Sequence, residues 1–103
     1  MEAQLLQKIH HKNIVRYHDS FMKGDMLYLV MEYCDRGDMA GYIKRMSSSM
    51  DIPEFRLWKF FVQMLVALNY IHRKNIIHGD LKPQNILLSG KDYDVKLADF
   101  GIS

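Results

Sequence analysis

A single cysteine and two prolines in 103 residues leave no disulfide framework and no proline-rich linker. A lone thiol, Cys34, suits a reducing compartment. Neither sign of charge prevails: 14 Lys and Arg stand against 12 Asp and Glu, and the net +2 is too weak to argue for nucleic acid or an anionic membrane as partner. The densest basic patch, HRKN at 72–75, reads as a solvated helix end. No apolar run reaches the roughly 20 residues that cross a bilayer. The longest, FFVQMLVALNYI at 60–71, is interrupted by Gln63 and Asn69. The amphipathic, charged start MEAQLLQKIHHK does not read as a signal peptide. Internal repeats and low-complexity tracts are also missing. These absences point to a soluble cytoplasmic or nuclear protein with neither membrane nor nucleic acid as partner.

What is present is ordered by periodicity. The length fits one small domain or part of a larger one. Leu5, Leu6 and Ile9 fall at helical spacing, so a helix over 2–9 opens the chain. VRYHDSF (15–21) and MLYLVME (26–32) read as strands joined by a tight turn at Lys23-Gly24-Asp25. CDRGD at 34–38 breaks regular structure, and MAGYIKRM (39–46) predicts a short helix. Asp51-Ile-Pro-Glu54 carries an acidic N-cap candidate, a first-turn proline and a Glu three positions on, which predicts a long helix running to about Arg73. Its polar positions Arg56, Lys59, Gln63 and Lys74 share one narrow arc. Leu57, Trp58, Phe61, Val62, Met64, Leu65, Leu68 and Ile71 fill most of the rest. A helix apolar over so much of its circumference is expected to be buried on more than one side. NILL (85–88) and VKLA (95–98) read as two short strands across a polar turn. The expected class is α+β.

The chemistry concentrates in HGDLKPQNILL, residues 78–88, and in DFG, residues 99–101. A loop aspartate such as Asp80 can accept a hydroxyl proton, and Lys82 can neutralise a transferring phosphoryl group. Asn85 and Asp99 together offer hard oxygen donors to a divalent cation. Phosphoryl transfer needs those parts together, because positioning and cations at the phosphate oxygens supply most of its catalysis.

At these residues the chain resembles the eukaryotic protein kinases. HGDLKPQN matches the catalytic-loop pattern H-R-D-L-K-x-x-N except for the arginine, and ADFG at 98–101 matches the metal-binding element. LVMEYCDRGDM (29–39) is similar to the hinge between lobes, and EAQLLQKIHHKNIVRY (2–17) to the C-helix leading into strand 4. The resemblance implies a partial kinase fold of C-helix, strands 4 and 5, hinge, helices D and E, catalytic loop, and strands 7 and 8. In it, 1–31 end the small lobe, 32–38 form the hinge and 39–103 begin the large lobe.

It also implies roles for individual residues. Asp80 becomes the catalytic base, Lys82 the contact to the γ-phosphate, and Asn85 and Asp99 the Mg²⁺ ligands. Glu2 becomes the partner of a strand lysine. Met31 takes the gatekeeper position, Glu32 and Cys34 the backbone contacts to the adenine of ATP, and Leu87 the floor beneath it. Leu6, Tyr17, His78 and Phe100 match a stacked apolar column. The DLKPQN wording is typical of serine/threonine kinases acting on proteins, and EYCDRGDM with ADFGIS looks most like the NIMA-related subgroup.

Departures from the pattern are informative. Gly79 stands where the family usually has an arginine that pairs with a phosphorylated activation loop, so control through that pair is expected to be lost or weakened. HGD also occurs in small-molecule phosphotransferases of the aminoglycoside and choline kinase type, but Lys82, DFG and the hinge wording speak against them. The 103 residues hold no G-x-G-x-x-G, no strand lysine ahead of Glu2 and nothing after Ser103. They therefore read as the middle of a kinase domain, with little activity expected of them alone. A non-catalytic binding module is the rival reading. The remaining histidines, His10, His11, His18 and His72, lack ligand spacing, and Cys34 reads as unreactive.

Overall fold

The computed structural model describes residues 8–46, 52–74 and 81–98. Among them run β1 (Tyr17–Lys23), β2 (Met26–Met31), α1 (Met39–Arg45), α2 (Glu54–Arg73), a 3₁₀ turn (Pro83–Asn85), β3 (Ile86–Ser89) and β4 (Asp94–Leu97). This is the expected α+β order. The expected opening helix falls almost wholly outside the described residues, and its last two, Lys8 and Ile9, lie in a turn and irregular chain.

β1 begins two residues later than expected, and the reason is a competing partner. Val15 donates its N–H to the Leu97 carbonyl at 2.9 Å, and Leu97 donates to the Asn13 carbonyl at 2.8 Å. Residues 13–15 thus run parallel along the free edge of β4, bridged at Ile14 and Leu97. The Asn13 carboxamide donates to the Val95 carbonyl at 2.9 Å, which fixes that register. On the other side, Arg36 donates to the Leu88 carbonyl at 3.0 Å and Leu88 to the Gly37 carbonyl at 2.8 Å. The β3–β4 hairpin therefore has both edges occupied, which satisfies backbone groups that would otherwise be buried unpaired.

Its side chains alternate. Ile86 and Leu88 of β3 stand opposite Leu97 and Val95 of β4, and all four are buried on one face. The core is completed by Ile14, Val15, Tyr42, Phe60, Ala67 and Ile71. β1 and β2 form a separate antiparallel ribbon whose two-residue turn, Gly24-Asp25, has Gly24 at φ 63°. That left-handed conformation suits a hairpin turn and favours glycine. All six residues of β2 are exposed.

The long helix starts at Glu54 rather than at an Asp51 cap, with the Pro53 carbonyl accepting from Arg56 and Leu57. Asp51 itself lies outside the described residues. Its orientation departs from simple amphipathic expectation. The buried positions Phe60, Ala67 and Ile71 share a stripe with Arg56 and Gln63, so part of the polar arc faces the protein. Phe55, Leu57, Trp58, Phe61, Val62, Leu65 and Val66 keep between 42% and 68% of their surface exposed. The inward polar stripe meets polar targets. Gln63 donates to the Asp94 carboxylate at 3.0 Å and accepts from the Val95 N–H at 2.8 Å. Lys59 reaches the same carboxylate at 3.0 Å and the Asp92 carbonyl at 2.6 Å.

Those contacts hold the Asp94 carboxyl below its ordinary range, the Gln63 hydrogen bond contributing most and Lys59 next. Since the folded value is depressed, the stabilisation is complete above the ordinary aspartate pKa and is lost as pH falls below it. Gln63→Ala is expected to cost about 1–3 kcal/mol, because the Val95 N–H loses its acceptor. It should also flatten the acid side of the stability curve. Urea melts at neutral and acidic pH measure both effects, and an unchanged midpoint would contradict them.

Candidate active site

Pro83 fixes the chain at its φ near −65° and opens the 3₁₀ turn. Lys82 precedes it in extended conformation, with its carbonyl accepting the Asn85 N–H at 2.9 Å. Asn85 is buried, unusual for a carboxamide, and its carbonyl accepts the Ala98 N–H at 3.0 Å. That single bond ties the end of the 78–85 motif to the end of β4. Residue 99 follows directly. Lys82 is exposed beside this junction.

On the opposite edge, Leu87 is half-buried on β3 and bridges to Asp38. Asp38 caps α1, accepting the Gly41 N–H at 2.7 Å. Met31 ends β2 opposite Tyr17, which is buried. Glu32 follows and is held from three sides. Its N–H donates to the Arg16 carbonyl at 2.8 Å, its carboxylate accepts the Arg16 N–H at 2.8 Å, and Lys96 of β4 lies 3.6 Å from its other oxygen. Among the described residues, the Glu32 carbonyl and the Cys34 N–H and carbonyl have no hydrogen-bond partner. Burial, with Glu32 next, pushes the Cys34 thiol up to about 11, so it is protonated at neutral pH. The free polar groups of this segment are thus main-chain groups rather than the Cys34 sulfur.

Of the residues expected from sequence, the structure describes Lys82, Asn85, Met31, Glu32, Cys34, Leu87 and Tyr17. It joins Asn85 to the end of β4 and draws Glu32 to β4 through Lys96. Glu2, Asp80 and Asp99 lie outside the described residues, as do Leu6, His78, Gly79 and Phe100. Reading the sequence missed Asn13, Arg16 and Lys96, which fix the positions of β4 and residue 32. The only trace of Asn13 was a polar residue directly before the apolar pair Ile14-Val15; Arg16 acts through its backbone and left none.

The protein kinase domain family matches residues 1–103. Serine/threonine-protein kinase nekl-2 of Caenorhabditis elegans is 42% identical over 108 residues, which cover 99% of this chain and 30% of that protein. Serine/threonine-protein kinase Nek8 of Danio rerio is 42% identical over 102 residues, covering 99% of this chain and 14% of that one. This chain thus spans less than a third of the length of either relative. A crystal structure of Rad53 in complex with AMP-PNP superposes with a TM-score of 0.86 at 35% identity, covering 96% of this chain and 26% of Rad53 in that structure. With its whole length matched and its strands, helices and 78–88 motif in the family's order, the chain belongs to the protein kinase domain family.

Proposed function

We propose that these residues form the nucleotide-facing middle of a serine/threonine protein kinase that transfers the γ-phosphoryl group of ATP to protein hydroxyls. In this reading 1–31 end the small lobe, 32–38 are the hinge and 39–103 begin the large lobe. The observation that carries it is the strip at 32–34. Among the described residues the Glu32 carbonyl and the Cys34 N–H and carbonyl stand unpartnered there, as do both backbone groups of Tyr33 between them, while the Arg16 and Lys96 contacts hold Glu32 in place. The edge of adenine offers the complement, an amino donor and a ring-nitrogen acceptor. Met31 would border the base and Leu87 lie beneath it.

The phosphate end follows from the 3₁₀ turn. The Asn85 carboxamide is a hard oxygen donor whose backbone carbonyl is bonded to Ala98, and Asp99, next in sequence, would be the second donor of a Mg²⁺ site. Bound there, Mg²⁺ would neutralise charge on the phosphate oxygens. Lys82 would hold the γ-phosphoryl group by its ammonium charge, Asp80 would accept the proton of the acceptor hydroxyl, and Glu2 would orient a lysine on a preceding strand. These 103 residues hold no glycine-rich phosphate loop, so little transfer is expected from them in isolation.

Calorimetric titration with ATP tests the reading on the chain completed by flanking kinase sequence. Saturable binding that Mg²⁺ tightens, with the Mg²⁺ effect lost in Asn85→Ala, is expected. Binding indifferent to Mg²⁺, or none, would overturn it.

A further inference from the structure

An open cavity of about 390 Å³ lies between the segment before α1, the end of α1 and the β3–β4 turn, lined by Asp35, Arg36, Gly37, Arg45 and Tyr93. None of these residues belongs to the proposed nucleotide contacts. Two of the four side chains are guanidinium groups. The one carboxylate, Asp35, accepts the Gly90 N–H at 2.8 Å, and that bond, with a smaller effect of the neighbouring Arg36 charge, holds its carboxyl below the ordinary range.

Arg36 is aimed by two contacts. Its Nε donates to the Gly90 carbonyl at 3.1 Å, and its guanidinium lies 5.1 Å from the centre of the Tyr93 ring. Its terminal nitrogens have no hydrogen-bond partner among the described residues, and neither does the Arg45 guanidinium. Arg56 lies 4.5 Å from the same ring, and its Nε is buried without a partner. Tyr93 has φ 56°, a left-handed conformation uncommon outside glycine. Two guanidinium groups, those of Arg36 and Arg56, thus lie against one aromatic ring, and Arg36 and Arg45 line the solvent-open hollow that this ring edges. The terminal nitrogens of Arg36 and the guanidinium of Arg45, without hydrogen bonds among the described residues, suit carboxylate or phosphate recognised by two parallel hydrogen bonds. An open, polar hollow admits a charged side chain from solvent rather than enclosing a cofactor.

We propose that this cavity docks an acidic peptide segment, with an aspartate, glutamate or phosphoserine oxyanion held between Arg36 and Arg45 and the peptide lying against Tyr93.

Fluorescence anisotropy on the protein tests this with a labelled peptide of glutamates around one phosphoserine, the same peptide unphosphorylated, and inorganic phosphate as competitor. Saturable binding is expected that Arg45→Gln and Arg45→Glu weaken by about tenfold or more, the loss of a charge-assisted bidentate pair. Lys44→Glu alters charge next door without touching the cavity and should change affinity less than about twofold. Circular dichroism confirms that α1 survives in each variant. The phosphorylated and plain peptides distinguish the two oxyanion sources. No saturable peptide binding, equal losses in the Arg45 and Lys44 variants, or displacement of the peptide by ATP would overturn the proposal. Binding of inorganic phosphate without the peptide would overturn it equally.

Discussion

Asp80→Asn is expected to lower the rate of phosphoryl transfer to a serine peptide by roughly 10²–10⁴, the range for removing a positioned general base. The substitution keeps the size and the hydrogen-bonding reach of the side chain but removes its capacity to take a proton. ATP affinity should therefore stay within about twofold, so that kcat falls while binding holds. The measurement requires the completed chain, with radiolabelled transfer for the rate and calorimetry for the nucleotide. Asp80 lies outside the described residues, and its assignment rests on the match of residues 78–85 to the catalytic-loop pattern. A variant that keeps its rate would remove Asp80 from the chemistry. A wild-type protein that binds Mg²⁺ and ATP yet transfers nothing would favour the non-catalytic module.

The largest structural effect is expected at Tyr42. This ring is fully buried and meets Phe60 edge-on at 5.6 Å and Tyr93 at 5.3 Å. Its hydroxyl accepts from Arg56 at 3.2 Å. One side chain therefore joins α1, α2 and the β3–β4 turn. Tyr42→Ala removes an aromatic ring from a packed core, which costs about 3–5 kcal/mol. Domains of this kind are stable by only about 5–15 kcal/mol. The exposed apolar face of α2 and the exposed strand β2 give this one little reserve. Most of the variant should be unfolded or aggregated at physiological temperature. Tyr42→Phe keeps the ring and removes only the bond to Arg56, at about 0.5–1.5 kcal/mol. Urea melts of the three forms separate ring from hydroxyl. Similar midpoints for Tyr42→Ala and wild type would show that the ring carries no such weight.

The 78–88 motif was legible because its rules are local. NILL reads as a strand from its apolar run, and the structure shifts that strand by one residue, to Ile86–Ser89, behind a 3₁₀ turn that Pro83 opens. The length of α2 followed from the Pro53-Glu54 start and the helical spacing of the apolar residues up to Ile71. Where the reading slipped, a distant partner had intervened. Val15 and Arg16 look like strand residues and contribute backbone bonds instead, one to Leu97 and the other to Glu32. The hollow beside Tyr93 was not legible at all, since Arg36, Arg45 and Arg56 are scattered in sequence and read as ordinary surface charge.

By itself the sequence determined the element types, the order of the motifs and the family, because propensity, capping and residue chemistry act between near neighbours. The tertiary structure decided how those elements use their faces. Periodicity groups Arg56, Lys59 and Gln63 on one arc but is silent about what that arc will meet. Opposite α2 stand the Asp94 carboxylate, the Asp92 carbonyl and the Val95 N–H. Only polar side chains can satisfy those groups as water leaves, so part of the polar arc turns inward and the aromatic face outward.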